Sequence, residues 1–163
     1  MSTKPVTMSR LQVIRGEPGE IYQIGPGKVG VLVGGLTPDQ DLPSLPNLPG
    51  AAFAIDGGVI GGYADALVFA PGTRGSARGV NIVYPGRGIV VGPGAAVDLR
   101  ENRMTNVKGV GIDLAAGAVG SASFNEIECA DGECVCYAGN CTSRPDREFG
   151  HGAFRMSGTR CRD

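Results

Sequence analysis

Five cysteines in the last third of the chain are the residues whose types and spacing most directly suggest chemistry. Cys129, Cys134, Cys136 and Cys141 form the symmetrical pattern C-x4-C-x-C-x4-C, and Cys161 follows further along. As disulfides they would crosslink the end of a fold that is poor in core. As thiolates they would offer four ligands to zinc, although zinc sites more often use C-x2-C pairs. Reduced structural thiols are a third possibility, because spacing does not fix connectivity. Cys161 would pair within the tail or between subunits.

Side chains suited to acid–base catalysis are few. The single histidine, His151, stands between glycines, and a lone histidine is more often a surface residue than a general base. A glycosidase-type mechanism would need a pair of carboxylates, for which the candidates are Asp98, Glu101, Asp113, Glu126 and Glu128. In the repeat described below, Asp113 falls on Val90 and Asp98 on Ser121, so no carboxylate ladder forms and a solvated face is favoured. The sequence therefore predicts no enzyme activity and no cofactor.

Two segments have compositions that suit contact with a partner. Arginine presents a planar fork that suits carboxylates and interfaces, and five arginines lie near the C-terminus: Arg144, Arg147, Arg155, Arg160 and Arg162. In residues 37–50 (TPDQDLPSLPNLPG), Pro43, Pro46 and Pro49 recur at period three, which favours an extended conformation. This strap would be a linker, a surface loop or a docking segment for a neighbouring subunit.

A spacing of 23 residues, the interval from Asn102 to Asn125, links several short motifs in the middle of the chain. Residues 88–91 (GIVV) align with 111–114 (GIDL), 94–95 (GA) with 117–118 (GA), and 102–104 (NRM) with 125–127 (NEI). One period earlier, Ala66 would align with Ile89 and Gly79 with Asn102, although the match is weaker. A period of this length indicates one structural unit stacked on another.

The content of each repeat predicts strands and tight corners. The short apolar runs suit strands that alternate inward and outward, while glycine and asparagine tolerate the sharp bends between them. Stacked coils would bring residues one period apart to about 4.8 Å. Asn102 would then lie on Asn125, and their side-chain amides would form a ladder. With 28 glycines and 11 prolines, the chain has little room for helices, so an all-β fold is predicted.

The segments GIVV…ENRM and GIDL…FNEI resemble coils of right-handed parallel β-helix proteins, a superfamily that includes polysaccharide lyases, periplasmic repeat proteins and phage tailspikes. The resemblance covers roughly residues 50–128 and implies a short right-handed parallel β-helix, with no particular activity. A β-sandwich or jelly roll is the alternative fold. A short helix between Ala95 and Lys108 is also possible, since Ala96, Leu99, Met104 and Val107 lie near one helical face.

The chain divides into five predicted parts. They are a flexible arm (1–10), N-terminal strands (11–36, with candidates at 11–14, 21–24 and 29–33), the strap (37–50), β-helix coils (51–128) and a Cys/Arg-rich tail (129–163) that caps the coil.

The predicted function follows from the shortness of the stack. A few coils leave strand edges at both ends, and association of subunits would cover them. The chain is similar in style to trimeric phage decoration (cement) proteins and tail components. We therefore predict a structural virion protein that forms a homotrimer and binds other virion proteins, such as a major capsid protein. The net charge of −1 argues against nucleic acid as a partner.

Two other functions are compatible with the sequence. A carbohydrate-binding or carbohydrate-degrading β-helix would use the few aromatic residues Tyr63, Phe69, Tyr84 and Phe124. A small metal-binding or disulfide-stapled interaction domain would be centred on the tail cysteines. Residues 1–10 lack the apolar core of a secretion signal, and no run approaches the ~20 apolar residues of a membrane span. We therefore expect synthesis in a host cytoplasm, incorporation into the virion and no membrane partner.

Overall fold

The chain winds into a parallel β-solenoid of about four turns. The computed structural model describes residues 6–14, 29–33, 44–45, 52–129, 133–145 and 154–162. All strand pairings in these ranges are parallel except one hairpin near the C-terminus. The predicted all-β coil is therefore confirmed, and the sandwich and jelly-roll alternatives are excluded because their sheets are antiparallel. The right-handed sense stays a prediction.

Each complete coil contributes one strand to each of three faces. Face 1 consists of β2 (Val29–Val33), β3 (Ser44–Leu45), β5 (Asp65–Phe69), β8 (Arg87–Val91), β11 (Val110–Leu114), β14 (Glu133–Tyr137) and β15 (Asn140–Thr142). Face 2 consists of β6 (Arg74–Arg78), β9 (Ala96–Arg100), β12 (Val119–Ser123) and β16 (Phe154–Ser157). Face 3 consists of β7 (Asn81–Val83), β10 (Arg103–Val107), β13 (Glu126–Cys129) and β17 (Arg160–Arg162). The longer strands β1 (Val6–Ile14) and β4 (Ala52–Gly61) run along both face 2 and face 3.

The solenoid extends further in both directions than the predicted coil region. Residues 6–10, predicted to be part of a flexible arm, form the first part of β1, which pairs with β4 along its length. The tail supplies the last coil through β14, β16 and β17, besides carrying the disulfides. Both differences arise because pairing joins backbone groups far apart in sequence, which local composition does not reveal. Of the predicted N-terminal strands, 29–33 is β2, 11–14 lies within β1, and 21–24 lies outside the described residues.

The repeat length is 23 residues in one step and 22 residues in the step before it. Ile89 pairs with Ile112, as the longer period predicts. Leu67, and not Ala66, pairs with Ile89, so the earlier step is one position shorter. Asn102 correspondingly receives a hydrogen bond from Val80 and not from Gly79. The weaker earlier match in the sequence is therefore explained by a small change in register.

The corner between faces 2 and 3 has the same left-handed conformation in successive coils. Gly57, Gly79, Glu101, Phe124 and Gly158 stack at this corner, with φ of 70°, 64°, 55°, 54° and 64°. Glycine adopts this conformation without steric cost, whereas other residues lose about 1 kcal/mol or more. The corner thus places each following residue inside the coil, whichever residue type occupies the bend.

The interior is packed by small side chains facing large ones. On face 1, Gly88 and Gly111 occupy equivalent inward positions, and across the core Met104 and Ile127 occupy equivalent positions on face 3. A Cβ placed on Gly88 would lie 2.5 Å from Met104 Sδ, and one on Gly111 would collide with Ile127. The missing side chain on one wall therefore makes room for the larger side chain on the other.

The alternative helix between Ala95 and Lys108 is replaced by two strands, β9 and β10. Leu99 and Met104 are fully buried, but they point inward from strands on either side of the bend at Glu101. Short apolar runs fit a strand and a helix about equally well, and here stacking on neighbouring coils decides between them. Within the described ranges, no helix is long and apolar enough to cross a bilayer.

Candidate interaction surface at the C-terminal end

Asn102 and Asn125 stack inside the coil, as the repeat predicts, and their role is structural. Asn102 Nδ2 donates to Asn125 Oδ1 at 3.0 Å and to the carbonyl oxygen of Ala77 at 2.9 Å. Its Oδ1 accepts from the backbone N–H of Val80 at 3.1 Å. Both asparagines are buried, so these bonds satisfy backbone groups that the corner would otherwise leave without partners.

Asp113 belongs to an ion cluster on the outer surface of face 1. Arg87 binds Asp65 through two hydrogen bonds, Nε to Oδ1 at 2.6 Å and Nη2 to Oδ2 at 2.9 Å, and it reaches Asp113 Oδ2 from Nη1 at 2.9 Å. The hydrogen bonds that Arg87 donates to Asp65, and to a smaller extent to Asp113, raise its pKa despite partial burial. Arginine is charged well above neutral pH in any case. The cluster therefore ties three successive coils together at any pH at which its carboxylates are ionised.

The remaining candidate carboxylates make ordinary surface contacts. Asp98 accepts a hydrogen bond from Ser121 at 2.6 Å, and Glu101 accepts one from Arg78 at 3.4 Å. Exposed contacts of this kind contribute little stability. His151 lies outside the described residues. Among the residues that the structure describes, no group of three or more His, Cys, Asp and Glu converges as a metal site.

The aromatic residues considered for glycan binding do not form one surface. Phe69 is fully buried and Tyr63 packs against the core. Tyr84 and Phe124 are exposed, but Tyr84 lies at the corner that follows β7 and Phe124 at the corner that follows β12. A Cβ on Gly158 would lie 2.6 Å from the ring of Phe124, which indicates that this ring covers the corner of the next coil.

Two disulfides lock the last coil. Cys134 is bonded to Cys161, with 5.9 Å between their Cα atoms, and Cys136 is bonded to Cys141, with 4.0 Å. Three of the four cysteines in the symmetrical pattern are therefore in disulfides, and these bonds use the thiols that a zinc site would need. The partner of Cys134 is the cysteine outside the pattern. Cys129, also a candidate, is in neither bond, and its sulfur lies 3.6 Å from the carbonyl oxygen of Glu133.

The position of Cys161 explains this pairing. Cys161 pairs with Ile127 and so continues the column of large residues on face 3. On the opposite wall, Cys134 follows Gly111 in the column of small residues. The last coil thus replaces the glycine–isoleucine contact of the coil before it by a covalent bond across the core. Cys129 ends β13 and is not in this pair of columns.

A cleft of about 350 Å³ opens beside Cys161. One wall is formed by residues 143–145 and the other by residues 159–162. Arg144, Arg160 and Arg162 all line this C-terminal cleft and are exposed. Among the predicted contact residues, the structure therefore brings Arg144 together with two further tail arginines, while the exposed Arg155 lies on face 2. Arg147, Pro43, Pro46 and Pro49 lie outside the described residues.

Charges alternate along the outer surface of face 3 towards this cleft. Arg103 pairs with Glu126, and Glu126 pairs with Arg160 in the next coil. Two residues further along each strand, Glu128 pairs with Arg162. Arg162 Nη2 also lies 3.6 Å from Glu126 Oε1. The last strand of the face consequently ends in two outward arginines stacked over two glutamates.

The sequence predicts the tail arginines as contact residues, but it does not indicate which of them lie close together. The available signal was the alternation in Arg160-Cys161-Arg162, because a period of two places both arginines on one side of a strand and the cysteine on the other. The approach of Arg144 had no comparable signal, since it depends on the β14–β15 hairpin and the segment that follows it.

Fold and site together define a class of protein, a short parallel β-solenoid with a disulfide-locked, arginine-rich C-terminal end. Comparison with known protein families, curated proteins and solved structures finds no significant match. The function must therefore be inferred from the geometry of the molecule itself.

Proposed function

We propose that this chain is a structural virion protein of a phage, a capsid decoration or tail component that acts by self-association and by binding a particle surface. The observation that carries the proposal is the C-terminal end of the solenoid. In the described part of the chain, β16 is the last strand of face 2 and β17 is the last strand of face 3. Arg144, Arg160 and Arg162 surround the adjacent cleft.

The physical support is that such an end is both rigid and suited to pairing. An edge strand presents backbone N–H and C=O groups to any further strand. The Cys134–Cys161 bond holds β17 against the core, so that the edge keeps its geometry before a partner arrives. Disulfides persist on virion surfaces and in other oxidising surroundings, which agrees with a protein that works outside a reducing cytoplasm.

The polar groups elsewhere in the described structure support an architectural role. Asn102 and Asn125 satisfy the backbone, and Arg87 holds two aspartates of neighbouring coils. These groups are engaged in joining one coil to the next. The glycan and metal alternatives have no comparable arrangement in their favour, because the aromatic candidates are dispersed and most of the cysteines are oxidised.

The test is the mass of the purified protein in solution, measured by light scattering over a range of concentrations with and without reductant. A homotrimer of the 16.7 kDa chain has a mass of about 50 kDa, three times the mass of one chain. A protein that stays at 16.7 kDa at every concentration would contradict self-association. Specific binding in a glycan panel by such a monomer would favour the carbohydrate-binding alternative.

A further inference from the structure

We infer that the edge of β17 binds an extended acidic strand of a partner protein, with carboxylates at alternate positions i and i+2. The inference rests on the proposed function and names the chemistry of the partner at the C-terminal end. It follows from three features of the described structure: the edge of β17, the charge order along face 3, and the second wall of the C-terminal cleft.

The first feature is that β17, among the residues that the structure describes, is paired along only one side. It follows β13 in the strand order and ends that row in the described part of the chain. Its inward residue, Cys161, is fixed by the bond to Cys134. The side away from β13 is therefore a strand edge of defined geometry, and an extended peptide is the ligand that pairs with such an edge through its main chain.

The second feature is the sequence of charges that a new strand would meet. Face 3 runs from Arg103 to Glu126 to Arg160, and in the neighbouring column Glu128 is followed by Arg162. Opposite charges on paired strands are favourable and like charges are unfavourable. The next strand in the stack would therefore carry acidic residues over Arg160 and Arg162. These two positions are two residues apart, so the acidic residues must alternate with an inward residue.

The third feature is the wall opposite the edge. Arg144 faces the same cleft as Arg160 and Arg162. Its backbone N–H donates to Thr142 Oγ1 at 2.9 Å, and the adjacent Pro145 is buried. These contacts hold the 143–145 segment in place. The volume of about 350 Å³ lies in the range of ligand-binding clefts, and the third guanidinium adds to the preference for an acidic ligand.

Backbone pairing and charge should contribute differently to binding. Main-chain hydrogen bonds along the edge supply affinity for any extended chain, whereas the side chains supply selectivity. Each exposed ion pair contributes only weakly. Two such pairs would make an acidic strand bind about fivefold more tightly than its neutral counterpart, a difference that a binding titration resolves.

The experiment uses the full, oxidised chain and fluorescently labelled peptides that copy the acidic pattern of β13. The peptide TVEIEVT carries carboxylates at i and i+2, TVQIQVT is its neutral counterpart, and TVEEIVT places the same two charges side by side. Fluorescence anisotropy at low salt should show TVEIEVT binding about fivefold more tightly than TVQIQVT, with TVEEIVT in between. The double variant Arg160→Gln/Arg162→Gln should lose this preference.

The matched control is Arg74→Gln/Arg155→Gln, which removes the same charge from exposed positions on face 2 and should keep the preference. Equal affinity of the wild-type protein for TVEIEVT and TVQIQVT would overturn the inference. So would a heparin fragment that competes equally well in the wild type and in both double variants, because general attraction to polyanions would then explain binding. A selective protein that remains monomeric supports the inference while contradicting self-association. A trimer that binds TVEIEVT and TVQIQVT equally supports self-association and overturns the inference.

Discussion

The buried amide ladder solves a problem created by the sharp corner between faces 2 and 3. A left-handed bend interrupts the regular ladder of backbone hydrogen bonds, and Asn102 supplies both a donor and an acceptor at that point. In the last coil Thr159 occupies the position next to Asn125 and donates to the carbonyl oxygen of Ala122 at 3.2 Å. A hydroxyl therefore performs the donor half of the same role.

Replacing Asn102 should show this division of roles. Asn102→Ala leaves the N–H of Val80 and the carbonyl of Ala77 buried without their partner, and should lower the free energy of unfolding by about 3 to 5 kcal/mol. Asn102→Thr keeps a donor and should be less destabilising. Urea unfolding measures both, with the exposed Asn81→Ala as a control expected to change stability by less than about 0.5 kcal/mol. Equal losses for Ala and Thr would contradict the donor role.

A substitution at Gly79 would measure the free-energy cost of the left-handed bend without any steric clash. Its φ is 64°, and a Cβ added there would meet no atom within 4 Å. Gly79→Ala should therefore destabilise the protein by about 1 kcal/mol through backbone strain alone. The reverse change, Glu101→Gly at the same corner, should be neutral or stabilising, because it removes strain and loses only two exposed ion pairs, with Arg78 and Arg100. Thermal unfolding of the two variants measures the contrast, and a stabilising Gly79→Ala would refute it.

The strands are held in register by contacts between coils more than by any property of one strand. The column of glycines on face 1 fits the column of large residues on face 3 only when the coils are correctly aligned, since a one-residue slip would reverse inward and outward positions. The disulfide between Cys134 and Cys161 fixes this alignment in the last coil of the described residues.

The two disulfides should differ in their effect on stability. Cys134 and Cys161 are 27 residues apart, whereas Cys136 and Cys141 are 5 apart. From the loop entropy of the unfolded chain, removing the first bond should cost about 3.5 kcal/mol and removing the second about 2 kcal/mol. The double variants Cys134→Ala/Cys161→Ala and Cys136→Ala/Cys141→Ala test this by denaturant unfolding. A larger loss in the second variant would contradict the idea that the longer loop is the main lock.

The molecule as a whole behaves as a one-dimensional stack in which each coil contacts its neighbours. Stability in such an array is distributed among the coils and the interfaces between them, and the terminal coils are the weakest. At the C-terminal end the chain crosslinks the last coil to itself, and β15 covers the edge of face 1. The edge that remains at face 3 is the one that we assign to a partner.

Reduction should therefore loosen one end of the stack selectively. After treatment with reductant, we expect faster amide hydrogen exchange in β14 to β17, with little change in β8 to β12, because the inner coils keep both neighbours. Mass spectrometry of peptides from exchanged protein measures this, and the Cys136→Ala/Cys141→Ala variant should reproduce only the change near β14 and β15. A uniform increase along the whole chain would show that the coils unfold together and would contradict the end-locking role.

The sequence by itself determined the periodic part of this protein. The regular spacing is visible in residues such as Asn102 and Asn125 because a stacked residue meets its own equivalent in the next coil. The alternation of apolar residues and the glycines at the bends gave the all-β coil for the same reason. A local pattern is enough where every coil repeats the same environment.

Tertiary structure decided what happens where the repeat changes or stops. The shift to 22 residues moved Leu67 onto Ile89, and the last step along face 3 spans 34 residues, from Glu126 to Arg160. The choice of Cys161 as the partner of Cys134, and the meeting of Arg144 with Arg160, follow from that longer step. These contacts join segments with no common period, so only the folded chain, which brings distant positions within bonding distance, could specify them.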